Sequence, residues 1–143
     1  MRIADAGGEN IMGTAENKDI VRRVYEEVVN NHNVDLLSSY FSPDYVNHKN
    51  PGGLEATKQL FLMLFEAFPD VRVSVESIGA EGDRVWVRIT MRGTQLGPYM
   101  GVPPTGKTFE ATTVNEVRIE NGMLAEEWGV TDTLAMMLQL GLA

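Results

Sequence analysis

The residues best suited to chemistry cluster near the end of the chain, in the run Glu126-Glu127-Trp128-Gly129-Val130-Thr131-Asp132. Trp128 and Asp132 are four apart, so an uninterrupted strand turns both to one face, with Glu126 beside them. An aspartate next to an indole in apolar surroundings has its charged form disfavoured and its pKa raised, which suits acid–base work. Asp132 also stands directly before a helix starting at Thr133, where Asp is a favoured N-cap worth about 1 kcal/mol. Both roles are open at a strand-to-helix junction.

His48 follows Asn47 in a polar segment ahead of Gly52-Gly53, where the lip of a pocket would sit. It can donate to a carbonyl or shuttle a proton, or serve as an ordinary surface hydrogen-bonding residue. His32, among asparagines, reads as a helix-end residue. With no cysteine and the two histidines in separate polar runs, no metal is expected. Arg88 and Arg92 share a strand face with Trp86 and Thr90. That face either meets a ligand carbonyl, with Trp86 as a binding surface, or is solvated, its arginines pairing with Glu110 and Glu116 across a sheet. Tyr25, Tyr40 and Tyr99 can line a cavity or fill a core. The Gly101 to Lys107 loop lacks the spacing of a phosphate cradle and leads into a strand.

The elements that must position these residues follow from periodicity. Ile20, Val21, Val24, Tyr25, Val28 and Val29 recur at helical steps, which predicts a helix from about Asn17 to Asn31. A short helix is expected over Asp35 to Phe41, ended by Ser42-Pro43-Asp44. Asn50-Pro51-Gly52-Gly53 reads as a loop, and a third helix runs from about Leu54 to Ala67. The period then changes from 3.6 to 2. Four strands are expected: one around Val71 to Val75, one from Arg84 to Arg92, one from Lys107 to Glu120 and one from Met123 to about Val130. Asn121-Gly122 is a strong hairpin signal between the last two. Thr133 to Leu140 closes the chain as a helix, with Gly141 at its cap. Helices ahead of a four-stranded antiparallel meander imply an α+β fold, the sheet curving around the helices to leave an apolar cavity.

Composition narrows the function classes. The chain has 143 residues, 43% of them hydrophobic, enough for one domain with a proper core. The formal net charge of −8, with no cationic cluster, disfavours nucleic acid and anionic membrane surfaces as partners. Residues 1 to about 13 carry no period and read as a flexible tail, leaving 14–143 as a single domain. The N-terminal stretch has no apolar run, so a secretory signal is not expected and the cytoplasm is the default location. A curved sheet leaves its other face broad and partly apolar, so a homodimer is expected.

Several segments together resemble the SnoaL-like polyketide cyclase family of the nuclear transport factor 2-like superfamily. They are Tyr45-Val46-Asn47-His48 with Gly52-Gly53, Phe68-Pro69-Asp70, Glu81-Gly82-Asp83-Arg84-Val85 and Arg92-Gly93-Thr94. Gly101-Val102-Pro103-Pro104-Thr105-Gly106-Lys107, Glu127 to Asp132 and Leu138-Gln139-Leu140-Gly141 complete the set. The resemblance implies a cone-shaped fold with a hydrophobic pocket and a cofactor-free intramolecular aldol condensation of a hydrophobic carbonyl compound. In the characterised cyclases the base is an aspartate near the end of the last strand, and Asp132 is the matching position. On that reading Asp132 and His48 are catalytic, while Trp128, Asn47, Tyr25, Trp86 and Glu126 contact the substrate. A non-catalytic binding protein with the same cone is the alternative. Epoxide hydrolysis ranks lower: relatives perform it with an Asp-Arg-Asp arrangement, and no second aspartate is identifiable here.

Overall fold

The computed structural model describes residues 13–143. The tail expected over residues 1 to 13 lies, but for Gly13, outside them. Helix α1 (Thr14–Arg23) continues through Val24–Asn30 with wider turns, closed by bonds such as Asn31 N–H to Glu26 O at 3.1 Å. Val21, Val24, Val28 and Val29 are buried along one side of it, the stripe that the sequence period predicts. A short 3₁₀ turn (Val34–Leu36) leads into α2 (Leu37–Tyr40). Strand β1 (Phe41–Asn47) follows, then α3 (Gly53–Ala67), β2 (Arg72–Glu81), β3 (Arg84–Thr94), β4 (Thr108–Glu120), β5 (Met123–Thr131) and α4 (Thr133–Leu140).

The sheet has five strands in the order β1-β5-β4-β3-β2. This corrects the expected four-stranded antiparallel meander, because β1 joins the edge in parallel with β5. Ser42-Pro43-Asp44, read as a break, lies inside β1. Proline is tolerated there because β1 is an edge strand and exposed Pro43 has no ladder bond to lose. Strands β2 to β5 form the expected meander, and β3 and β4 keep an unbroken register from Arg84↔Arg118 to Thr94↔Thr108. Asn121 and Gly122 both have positive φ, 53° and 76°, as the tight hairpin between β4 and β5 requires.

The concave face of the sheet carries Val85, Val87 and Ile89 from β3 with Phe109, Ala111, Val117 and Ile119 from β4, all buried. Helix α1 and its continuation pack on part of this face. A second cluster closes one end: Phe68 packs edge-on against Phe109 and Tyr99, and α4 adds Met136 and Leu140. The loop between β3 and β4 is anchored by fully buried Gln95, whose amide donates to Val102 O and Pro103 O and accepts from Thr105 Oγ1. The result is a curved sheet with helices inside and α4 short at the end, the α+β cone expected from the sequence. Among the described residues no helix is long and apolar enough to cross a membrane.

Candidate functional site

Between the concave face, α1 and α3 lies a cavity of about 500 Å³. Its walls are mostly apolar, with Val21, Val24, Phe61, Leu64, Phe65, Ile89 and Met91 among them. Polar groups gather where β1, β5 and β4 run side by side: Tyr45, Asn47 and Lys49, then Glu127 and Thr131, then Asn115 and Thr113. Tyr25 reaches the same cavity from the continuation of α1. An apolar pocket with a few converging polar groups is the usual form of a small-molecule site.

The polar cluster exists because β5 carries a bulge. Ile119 pairs with Leu124, but the next pair is Arg118 with Glu126, so Ala125 is an extra residue on β5. One extra residue reverses the alternation beyond it. Leu124 and Glu127 therefore both face inward, while Glu126 and Trp128 face out. Glu126 and Trp128 do share a face, as their spacing predicts, but beyond the bulge it is the outer one, which corrects the pocket placement implied by the resemblance.

Glu127 is enclosed by protein but still touches the free space of the cavity. Its Oε1 accepts the Tyr45 hydroxyl at 2.6 Å. Burial pushes the Glu127 carboxyl up from the usual range, partly opposed by the Tyr45 hydrogen bond and by the charge of Lys49. Tyr45 is itself raised, first by burial, then by the charge of Glu127 and the hydrogen bond to it. Burial and Glu127 likewise raise Tyr25, against the opposing effect of a hydrogen bond from Asn115 Nδ2 to its hydroxyl oxygen at 2.8 Å. Lys49 is largely exposed, but its ammonium lies over the cavity rim and donates to Thr131 Oγ1 at 3.1 Å. Partial burial lowers its pKa, opposed by the charge of Glu127. Thr131 Oγ1 is in turn 2.8 Å from Thr113 Oγ1. Asn47, 8% exposed, builds the rim: its Oδ1 accepts from the backbone of Lys49 and Asn50 at 2.9 and 3.1 Å.

The structure distributes the sequence candidates over two faces. Tyr25 and Asn47 line the cavity. His48, Glu126 and Trp128 do come together, but on the outer face. The His48 ring stacks on Trp128 with centroids 4.9 Å apart, and its Nε2 lies 2.7 Å from Glu126 Oε2. The Arg84 guanidinium sits 5.0 Å from the Trp128 ring centre. Trp86 is on this outer face too, two strands from Trp128, and is 42% exposed. Asp132 is exposed and caps α4, its Oδ1 accepting from Ala135 N–H at 3.1 Å. The helix takes up the carboxylate, and Asp132 does not line the cavity. Arg92 pairs with Glu110 at 2.7 Å, as expected of a solvent face, whereas Glu116 pairs with Arg84. Among the described residues the cavity wall holds neither Asp nor Arg, so an Asp-Arg-Asp set for epoxide opening is not there.

Glu127, Thr113, Asn115 and Tyr45 escaped the sequence reading, and the first three left a trace in it. On a regular strand one of two adjacent glutamates faces inward, so Glu126-Glu127 points to a carboxylate on the concave side. In β4 the inward series Phe109, Ala111, Thr113, Asn115, Val117, Ile119 is apolar except at Thr113 and Asn115, which marks a polar spot in the wall. Tyr45 left no such trace, because β1 itself was not recognised.

Comparison with known proteins agrees with this architecture. A family model described as SnoaL-like polyketide cyclase matches residues 19–140. The chain is 29% identical over 134 residues to the aklanonic acid methyl ester cyclase DauD of Streptomyces sp. (strain C5), covering 86% of this chain and 80% of that one. It is 27% identical to the nogalonic acid methyl ester cyclase of Streptomyces nogalater, over 78% of this chain and 88% of the relative. Among solved structures, wild-type IdmH from Streptomyces antibioticus, a candidate polyketide cyclase, superposes with a TM-score of 0.79 at 31% identity, covering 87% of this chain and 98% of that one. AclR from Streptomyces galilaeus, a candidate hydroxylase, superposes with a TM-score of 0.83 at 32% identity, covering 92% and 99%.

Proposed function

The chain belongs to the SnoaL-like polyketide cyclase family, and on that premise we propose that it is a cofactor-independent cyclase or isomerase acting on a hydrophobic carbonyl compound. The observation that carries this reading is Glu127, among the described residues the one carboxylate of the cavity wall, set beside phenol and amide groups in a mostly apolar cavity. Intramolecular aldol closure needs only proton transfers. Glu127 takes a proton from carbon alpha to a carbonyl, and the C–H electron pair becomes an enolate. The enolate carbon attacks a second carbonyl carbon of the same molecule, forming the ring C–C bond and an alkoxide. The protonated Glu127 then returns the proton to that alkoxide, so the product is an isomer of the substrate and no co-reactant is consumed.

The environment of Glu127 fits the base. Its raised pKa makes it a stronger base than a free carboxylate, and Tyr45 holds its Oε1 in place. The apolar walls favour a folded, ring-rich substrate and exclude the water that would quench an enolate. The role that family resemblance gives to Asp132 passes, on this geometry, to Glu127.

The test is turnover of aklanonic acid methyl ester and nogalonic acid methyl ester by purified protein. Glu127→Gln should lower turnover by roughly 10²-fold or more, the usual scale for a positioned base. Asp132→Asn, which keeps the cap, should stay within about twofold of the parent, since Asn caps as well as Asp. Loss of activity on Asp132→Asn with retention on Glu127→Gln would return the base to Asp132.

Two further properties belong to the same reading. The protein works in the cytoplasm, and two copies pair through the outer sheet face. The pairing is supported by exposed Trp86, Val114 and Val130 on that face. Light scattering at micromolar concentration should give twice the chain mass of 15.8 kDa. A single species at the chain mass would remove the pairing.

A further inference from the structure

The two cavity phenols nearest Glu127 are used differently. Tyr45 spends its proton on Glu127 Oε1, and so orients the base. Tyr25 is on the receiving side of its hydrogen bond, because Asn115 Nδ2 donates to its oxygen. Among the described residues its own proton has no acceptor. Asn115 is 4% exposed, and its Oδ1 has no partner and lies against Gly129, where any side chain would collide with it. The amide is therefore held by packing, and the phenol is held by the amide. A hydroxyl whose oxygen already accepts an N–H is a stronger donor through its own proton.

Resting on the cyclase reading above, we propose that Tyr25 is a catalytic oxyanion donor, hydrogen-bonding the substrate oxygen that takes up charge as Glu127 removes the alpha proton, with Asn115 as its positioning residue. The charge balance supports this division. Before the step the cavity holds the Glu127 carboxylate, with Lys49 at the rim as the facing cation. After it Glu127 is neutral and the same negative charge sits on the enolate oxygen. Tyr25 loses no proton at any stage. It needs to be a neutral donor, and burial beside Glu127 keeps it protonated. The substrate this selects has a ketone or ester oxygen able to reach Tyr25 while its alpha carbon faces Glu127.

The assignment can be tested without knowing the natural substrate. Glu127→Gln imitates the protonated base, and 2-naphthol is a flat apolar probe whose naphtholate form imitates an enolate. Absorbance reports how much bound probe is naphtholate across pH. Adding Tyr25→Phe to Glu127→Gln should lower naphtholate affinity by about 10-fold or more, as loss of one oxyanion donor does. Neutral naphthol should bind within about threefold of before, because the ring still fills its place. Asn115→Leu in the same background should lower naphtholate affinity by a smaller factor, since Tyr25 stays but is no longer held. If Tyr25→Phe weakens both forms equally, the residue only packs and the proposal falls. It falls too if naphtholate affinity is unchanged, which would mean that the phenol proton is given to Asn115 Oδ1, or if Glu127→Gln never binds naphtholate. Tyr25-dependent naphtholate binding with no turnover of either methyl ester by the parent would keep the donor and remove the cyclase reading.

Discussion

Glu126 and Glu127 are consecutive residues of β5, and the two faces of the sheet treat their carboxylates in opposite ways. On the outer face Glu126 meets His48 at 2.7 Å and Arg118 at 3.1 Å, and those partners hold its pKa below the usual range. On the concave face burial lifts the Glu127 carboxyl instead. Aromatic groups accompany both. Outside, Trp128 stacks on His48 and meets the Arg84 guanidinium, in a network where Arg118 faces Glu126 and Arg84 faces Glu116. Inside, tyrosines surround a carboxylate whose nearest cation is at the rim. A carboxylate already met by neighbouring donors, as Glu126 is, has little tendency to take up a proton. A poorly compensated charge in an apolar cavity is held in a reactive state, at some cost to stability.

That contrast should break first in catalysis. Glu126→Gln is expected to leave turnover of the methyl esters within about twofold, against the roughly 10²-fold loss on Glu127→Gln. Equal losses from both would show that the outer network, not the cavity, sets the rate.

Gly129 gives the next largest effect. It is the inward neighbour of Asn115 across the sheet, and a methyl group there meets Asn115 Oδ1 and Val114 O. Gly129→Ala should cost about 1–3 kcal/mol, the range for overpacking, and displace the amide from Tyr25. Denaturant unfolding measures the first effect and the naphtholate titration the second. A variant as stable as the parent would mean that Asn115 moves freely.

The smallest effects are in the pH dependence of stability, and there the signs should be opposite. The folded-state pKa of Glu127 is raised, so its contribution is fully present below the unfolded glutamate value of about 4.3 and is lost as pH rises through the folded value. Glu127→Gln should therefore raise the melting temperature at pH 8 relative to the parent, with the gain vanishing near pH 4. For Glu126 the folded-state pKa is lowered, so its contribution is present above about 4.3 and lost as pH falls through the folded value. Glu126→Gln should lower the melting temperature slightly at pH 8 and not in acid. Melting curves at the two pH values that move in the same direction would contradict the separation of the faces.

Most of the architecture was legible in the sequence because local chemistry fixes it. The valine stripe of α1, the alternation of β3 and β4, the Asn121-Gly122 hairpin and the Asp132 cap with Gly141 each depend on neighbours within a few residues. The same locality explains the failures. Strand β1 contains proline and a polar run, and becomes a strand only because β5, some eighty positions later, offers it an edge. The bulge at Ala125 depends on how β5 must bend between β4 and β1, and no residue near it announces the extra position. Period-2 reasoning propagates such a slip to every residue beyond it. The common face of Trp128 and Glu126 followed from their spacing, but that this face is the outer one, leaving Glu127 inward, depends on the bulge.

By itself, then, the sequence determined the helices, the meander and, wherever the strand alternates regularly, one inward carboxylate in the Glu126-Glu127 pair. Which of the two glutamates it is, and that Tyr45, Asn115 and Tyr25 converge on it, was decided only by tertiary structure. Strand phase across a bulge and parallel pairing between distant segments are set by the packing of the whole sheet, where shifting by one residue exchanges the buried face for the solvated one.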